Sequence, residues 1–565
     1  MFFVGCDDGT SATETSSDAE VEQPDAAAST DPGTGGGGGQ GGAGGEPVGG
    51  MPEGGAGGVV APGDCPIDDI EAPGLVATTE GHLQGEASGD TWLYRAVPFA
   101  APPVDDLRWR APEPPACYGG IRVQADYAPA CPQLNAQGTM LGDEDCLYLN
   151  LWTPKAALEG GRPRPIMFFI HGGGNAIGSA TVGAGNQILY DGQALAEAHD
   201  AVVVVIQYRL GALGYLTHPA LDAEDPEGHS GNYGQLDIIA ALEWINANAA
   251  AFGGDRDRVM IFGESAGARN TCIMVSSPLA RGLFYASIMQ SGPCRVTPRA
   301  DVEAEGRTQV ENSGCADAED IPSCMRARTA EQLLLDRPPV VSVGAASDAM
   351  KPYVDGHVLT DQPIEVIRRG EHNPVIFVSG ANSDETARDT PEIATVAGYE
   401  AVVRSQFGAL ADQVLALYPA EDYETPTQAF VQISTDARFV CNSRQSLEAA
   451  SAHGPTFGYF FTQNLENSAR LRDFGAYHAI ELFFVFDQMT LAGYRPTAAE
   501  SALAEMVGGY WARVARQGDP NDGVAPMWPQ YDITEQLLVL DGAGVTAEAG
   551  IRSEKCDFWD TLLEQ

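Results

Sequence analysis

The stretch Phe252 to Gly267, FGGDRDRVMIFGESAG, decides how this chain folds. It reads as a glycine-bearing turn, a short apolar strand (Val259-Met260-Ile261-Phe262), and then Gly263-Glu264-Ser265-Ala266-Gly267, a G-x-S-x-G pentapeptide. The residues that follow, Ala268 to Val275, are compatible with a helix. A strand that runs into a serine and out into a helix presents that serine on a tight turn. Its Oγ then stands clear of the sheet, above the positive end of the helix. The glycines two residues either side are needed because a Cβ there would collide with neighbouring backbone. The pentapeptide alone arises by chance in many chains; the strand before it and the helix after it supply the context it requires.

Working outward, short apolar runs recur at Ile166 to Ile170, Ala201 to Ile206, Ile288 to Gln290, Val375 to Val378, Phe457 to Phe461 and Leu537 to Leu540. Each is apolar at successive positions, as expected for strands buried on both faces of a mainly parallel sheet. Between two of them, Gly234 to Ala250 carries Leu236, Ile239, Leu242 and Ile245 at helical spacing. Alternation of strand and helix predicts an α/β fold. From about 300 to 450 the pattern is more helical, with Gln332 to Leu335 and Tyr399 to Leu417 as candidates. We find no internal repeat and no run of 18 apolar residues that would span a membrane.

The 565 residues divide unequally. Residues 1–64 are rich in Gly, Ala, Ser, Asp, Glu and Pro, too poor in apolar surface to offset their ordering entropy, and are expected to be a disordered tether. Residues 65–565 can bury a large core, and length alone would allow several domains. Phe2-Phe3-Val4-Gly5-Cys6 reads as the end of a bacterial lipoprotein signal, with Cys6 bearing the lipid. The first basic residue is Arg95, so the positive n-region of such a signal is missing and the start codon is suspect. A chance Gly-Cys pair is the competing reading. A tether of this length would reach about 40 Å, enough to hold a globular enzyme off a membrane surface. The formal net charge of −46 repels phosphate and excludes nucleic acid as a partner. A solvated acidic surface accounts for it; steering of cationic substrates is the functional alternative.

The longer string around Ser265 resembles the serine signature of the type-B carboxylesterase/lipase family, which includes cholinesterases and bacterial p-nitrobenzyl-esterase-like enzymes. A second family signature is Glu144 to Pro154, EDCLYLNLWTP. Further matches are His171-Gly172-Gly173-Gly174, Tyr208-Arg209-Leu210-Gly211, Gly231-Asn232-Tyr233-Gly234 and Pro352-Tyr353-Val354-Asp355-Gly356, in the family's order. The resemblance covers roughly residues 70 to 562. It implies an α/β-hydrolase fold, a mainly parallel central sheet flanked by helices, with helical insertions over the active site. It also implies serine-dependent ester hydrolysis on a small-molecule ester.

A serine hydroxyl is a poor nucleophile at neutral pH and needs a base, which in turn needs an orienting carboxylate. In this fold the order along the chain is serine, acid, histidine. Two histidines lie far enough downstream. His453, in Ala452-His453-Gly454-Pro455, reads as a surface turn. His478, in Phe474-Gly475-Ala476-Tyr477-His478-Ala479-Ile480-Glu481, resembles the family's catalytic-histidine segment, with Ala479 where glycine is usual. The acid is expected to be Glu385, after the strand that leads into Val378-Ser379-Gly380-Ala381-Asn382-Ser383-Asp384. Asp384 is its rival, and Thr386 replaces the usual glycine. The oxyanion donors implied by the family are the N–H groups of Gly173, Gly174 and Ala266; losing one such donor costs about 3 kcal/mol of transition-state stabilisation. Asn175 stands where the family usually has an aromatic and is expected to alter the pocket wall. Glu264, Ser291 and Glu481 are expected behind the triad, with Glu144 and Arg209 as a structural ion pair.

Of eleven cysteines, setting Cys6 aside leaves ten, which suits five disulfides in an oxidising compartment, secreted or in the cell envelope. Reduced cysteines in a cytosolic protein are the alternative. Spacing does not fix connectivity. The resemblance implies Cys131 with Cys146, Cys315 with Cys324, and Cys441 with Cys556; we add Cys272 with Cys294 and Cys65 with Cys117. Chain entropy gives about 3 kcal/mol for the short Cys315 loop and about 5 for the Cys441 loop. No C-x-x-C or H-E-x-x-H is present, so no metal or cofactor is expected. Two rival functions stand beside a carboxylesterase: a non-catalytic adhesion protein on the same fold, and a lipase for long acyl chains. A cholinesterase would need an aromatic cage, and Pro132 to Asp145 contains no aromatic residue.

Overall fold

A computed structural model describes residues 65, 70–185, 187–336 and 350–563; Cys6 and the expected tether lie outside them. One large sheet organises the rest. In chain order its strands are β1 (Glu86–Ser88), β2 (Thr91–Pro98), β3 (Tyr148–Pro154), β4 (Arg164–Ile170), β5 (Val202–Ile206) and β6 (Gly254–Glu264). They continue with β7 (Ala286–Gln290), β8 (Ile376–Asn382), β9 (Thr456–Phe461), β10 (Gln536–Leu540) and β11 (Thr546–Ala549). Their spatial order is β11-β10-β9-β8-β7-β6-β4-β5-β3-β2-β1. The run from β10 to β5 is parallel throughout, and the outer strands pair antiparallel. This is the α/β-hydrolase fold.

Successive residues of β4 show why these strands are apolar on both faces. Ile166, Phe168 and Ile170 point into one core with Ile238, Leu242 and Ile245 of helix α1 (Tyr233–Asn248) and Ile273 of helix α2 (Ala266–Ser276). Met167 and Phe169 point into the opposite core. Later in the chain come α3 (Val396–Phe407), α4 (Ala411–Leu417), α5 (Pro426–Thr435), α6 (Cys441–Ser451), α7 (Ala498–Gln517) and α8 (Ser553–Leu563). Leu503, Val507, Trp511 and Val514 of α7 close that second core.

The expected single helix over Tyr399 to Leu417 is two helices. Gly408, at φ +50° and ψ −115°, takes up a conformation that favours glycine and ends α3 before α4 begins. The sheet also holds strands that periodicity did not reveal. β2 (TWLYRAVP) and β3 (YLNLWTP) mix polar and apolar residues because they lie toward the antiparallel margin of the sheet. No helix among the described residues is long and apolar enough to cross a membrane.

Five disulfides join Cys65 to Cys117, Cys131 to Cys146, Cys272 to Cys294, Cys315 to Cys324, and Cys441 to Cys556.

The expected ion pair between Glu144 and Arg209 does not form. Arg209 is taken by Asp237 of α1: its Nε and Nη2 donate to the carboxylate at 2.8 and 2.7 Å, and its own backbone N–H adds a third bond at 3.0 Å. Glu144 accepts instead from Arg108 Nε at 2.7 Å, and the same guanidinium donates to the carbonyls of Arg326 and Arg328. The Arg209–Asp237 pair is almost wholly buried, with side chains 3% and 0% exposed. Removing one partner of such a pair leaves an uncompensated charge, which costs about 3–5 kcal/mol. Asp237→Asn is therefore expected to lower the urea midpoint far more than Glu144→Gln, whose partner keeps two backbone acceptors.

Candidate active site

β6 ends at Glu264, and the chain turns through Ser265 (φ +60°, ψ −118°) directly into α2. Such a backbone costs about 1–3 kcal/mol for a residue with a Cβ and persists only where the surroundings impose it. Here they do. A Cβ on Gly267 would stand 2.0 Å from the Ile170 carbonyl oxygen, and one on Gly263 would stand 2.5 Å from that of Gly267. The Ser265 N–H is tied to the Gln290 carbonyl at 2.9 Å. Ala266 is the first residue of α2, so its N–H has no acceptor within the helix.

The loop after β4 lies against this turn. A Cβ on Gly172 would come within 3.0 Å of Ser265 Cβ. Gly173 and Gly174 adopt φ +108° and +66°, which turn the peptide units in a way side chains disfavour. The buried His171 ring stacks on Tyr208 at 4.5 Å, and the Tyr208 hydroxyl donates to the His171 carbonyl at 2.8 Å. Burial pushes His171 down to about 4, so it stays neutral.

The residues brought together at the turn include both expected partners. His478 Nδ1 donates to Glu385 Oε2 at 2.6 Å, and the His478 backbone N–H bonds the Glu385 carbonyl at 3.0 Å. Glu385 Oε1 accepts from the Asn382 N–H at 2.8 Å. Asp384 faces away: its carboxylate accepts from Gln432, Ser383 and the Ala476 N–H. His453 sits elsewhere, its Nε2 at 3.1 Å from the Arg368 carbonyl oxygen.

On the other side of the imidazole from Glu385, Glu264 Oε1 lies 3.1 Å from His478 Nε2 and makes no hydrogen bond. Glu481 accepts from Gln290 Nε2 at 3.1 Å and from Asn382 Nδ2 at 2.7 Å. Trp511 Nε1 steadies Gln290 at 3.1 Å. Burial raises Glu264 far above the usual carboxylate range, and burial together with Glu385 raises Glu481 to about 7. Burial alone would depress His478, but the flanking Glu264 and Glu385 outweigh it and hold the ring's proton affinity up. Ser291 is fully buried at φ +55°, and its N–H bonds the Gly380 carbonyl at 2.9 Å. Neither Glu144 nor Arg209 contacts these groups; both act where they pair.

Two features escaped the reading of the sequence. Phe439 packs on the His478 ring, centroids 4.9 Å apart, from a π-helical turn (Asp436–Val440) between α5 and α6. Nothing local in the sequence marks such a turn, though these bulges gather at functional sites. Asn175, expected in the pocket wall, is instead fully buried and bonded to Asn270.

A serine on a strand-to-helix turn beside a glycine loop and a histidine–carboxylate pair, on this fold, defines a class: carboxylic ester hydrolases. The comparisons narrow it. Residues 72–559 match the Carboxylesterase family, and the chain belongs to it. It is 34% identical to fumonisin B1 esterase of Sphingopyxis macrogoltabida over 509 residues, which cover 86% of this chain and 91% of that one. It is 32% identical to human cocaine esterase, covering 86% and 89%. Among solved structures, a PNB esterase superposes with a TM-score of 0.73 at 29% identity, covering 86% of this chain and all of that one.

The Glu264 contact sets a direction for the pH profile. When Glu264 is ionised, its charge beside Nε2 raises the imidazole's proton affinity, and an imidazole that acts as a general base must be neutral. Glu264→Gln removes that charge, so the acid limb of kcat/KM is expected to move to lower pH by about 1 unit or more. A full pH–rate profile of both proteins checks it.

Proposed function

We propose that the chain hydrolyses carboxylic esters through an acyl-enzyme on Ser265, with a Ser265–His478–Glu385 triad. The observation that carries this is the 2.6 Å bond from His478 Nδ1 to Glu385, made beside the turn that bears Ser265. That bond fixes the tautomer: with Nδ1 protonated, Nε2 is the base. Ser265 Oγ attacks the ester carbonyl while Nε2 takes its proton. The carbonyl oxygen becomes an oxyanion, held by the N–H groups of Gly173, Gly174 and Ala266. The tetrahedral adduct collapses, and His478 gives its proton to the departing alkoxide, so the alcohol leaves. Water then enters, loses a proton to Nε2 and attacks the acyl carbon; collapse of the second adduct returns the proton to Ser265 and frees the acid. The Glu385 carboxylate orients the imidazole and stabilises the imidazolium at each stage.

The names of the relatives, fumonisin B1 esterase and cocaine esterase, favour a small-molecule ester over a lipid aggregate. Five disulfides favour an oxidising compartment. We extend this to a secreted or lipid-anchored enzyme of the cell envelope, with Cys6 as the anchor and residues 1–64 as the tether.

Purified residues 65–565 and a Ser265→Ala variant are to be assayed on p-nitrophenyl esters from acetate to palmitate. Activity on short chains, lost by a factor of at least about 10⁴ in the variant, supports the esterase. Preference for palmitate makes it a lipase. Folded, oxidised protein inactive on every ester would return it to a binding protein.

A further inference from the structure

Asn175 and Asn270 face each other in a fully buried polar network. Asn270 Nδ2 donates to Asn175 Oδ1 at 2.9 Å, and Asn175 Nδ2 returns a longer bond to Asn270 Oδ1 at 3.3 Å. Gln235 Nε2 of α1 backs the pair, donating to Asn270 Oδ1 at 2.9 Å. The Tyr208 hydroxyl lies 3.2 Å from Asn175 Oδ1 while it donates to the His171 carbonyl. The backbone of Asn175 is held as well: its carbonyl accepts from the Gly211 N–H at 2.7 Å.

The positions of the two amides matter more than their number. Asn175 directly follows Gly174 and ends the glycine loop. Asn270 lies four residues beyond Ala266, hence on the same face of α2 and one turn further along it. The two elements meeting at Ser265 are therefore joined by one reciprocal amide pair, Asn175 next to Gly174 and Asn270 one helical turn from Ala266. Asn175 is also suited to its backbone, at φ +57°, a left-handed conformation that asparagine tolerates. Two buried carboxamides are an expensive way to fill space, because each must find directional partners that an apolar pair would not need. What they add is a fixed distance and angle between loop and helix.

We propose that Asn175 and Asn270 form a clasp that sets the glycine loop in register with α2, and so positions the N–H groups of Gly173, Gly174 and Ala266 around one oxyanion. This rests on the reading of those three groups as donors. Both asparagines are positioning residues: neither touches the substrate. The clasp acts on the oxyanion, which exists only in the transition state, so its loss falls on kcat rather than on KM.

The test uses Asn270→Ala, Asn175→Gly and the double variant; glycine at 175 keeps the positive φ and removes only the amide. Each is measured for kcat and KM on p-nitrophenyl acetate, for inhibition by a trifluoromethyl ketone, and for its unfolding midpoint. Each single variant is expected to lose on the order of 10- to 100-fold in kcat, with KM within about threefold. Affinity for the ketone, whose adduct carries the same oxyanion, should fall by the same factor as kcat/KM. The double variant should be no worse than the weaker single one, since either change opens the clasp. Tyr208→Phe, which removes one hydroxyl, replaces any variant that does not fold and should show a smaller loss with the same pattern. Unchanged kcat and ketone affinity in folded variants overturns the clasp, as does a loss confined to KM or additive losses in the double variant. If Ser265→Ala retains full activity, the triad itself is wrong, a result separable from any of these.

Discussion

Two lengths of backbone meet at the end of the sheet with no room for a side chain between them. Ile170 closes β4, Gly267 is the second residue of the helix after β6, and any Cβ on that glycine would overlap the Ile170 carbonyl oxygen. Everything in the site is a consequence of that approach. Only because the strands end level can the glycine loop lie over the serine. Because the helix begins without a spacer, its first N–H, that of Ala266, lies directly beside Ser265 with no acceptor inside the helix. The strained Ser265 backbone is held by neighbours on both sides, the Gln290 carbonyl and the packed glycines. The energy of the sheet, buried on both faces, is what holds a costly conformation in place.

The charge pattern behind the serine follows a second constraint. Three glutamates lie buried near one histidine, and low-dielectric surroundings penalise each unpaired carboxylate. Each finds a different solution. Glu385 takes the imidazole and a backbone N–H; Glu481 takes two side-chain amides. Glu264 has the imidazole at close range without a hydrogen bond to it, and burial raises its proton affinity. The imidazole is thus held between unequal neighbours: one orients it, the other raises its appetite for a proton.

Much of this could be read from the chain, and the reasons are local. Gly263 to Gly267, His171 to Gly174 and the segments around Glu385 and His478 are contiguous motifs, and strands buried on both faces stand out as apolar runs. What stayed hidden depends on residues far apart. Arg209 and Asp237 lie 28 positions apart and meet because α1 packs beside the end of β5; a sequence names neither as the other's partner. Phe439 reaches the imidazole through a widened helical turn with no composition of its own. Asn175 was noticed as an unusual residue but assigned to the pocket wall, because its partner Asn270 belongs to another motif. β2 and β3 were missed because margin strands, less uniformly apolar, resemble loops in a window of eight residues.

The disulfide between Cys441 and Cys556 spans 115 residues, and His478 lies inside the loop it closes. Ser265, the glycine loop and Glu385 all precede that loop. During synthesis Ser265, the loop beside it and Glu385 therefore emerge first, and His478 arrives in a segment whose covalent closure waits for residue 556. His478, the last of the three along the chain, thus depends for its covalent enclosure on the C-terminal helix that carries Cys556.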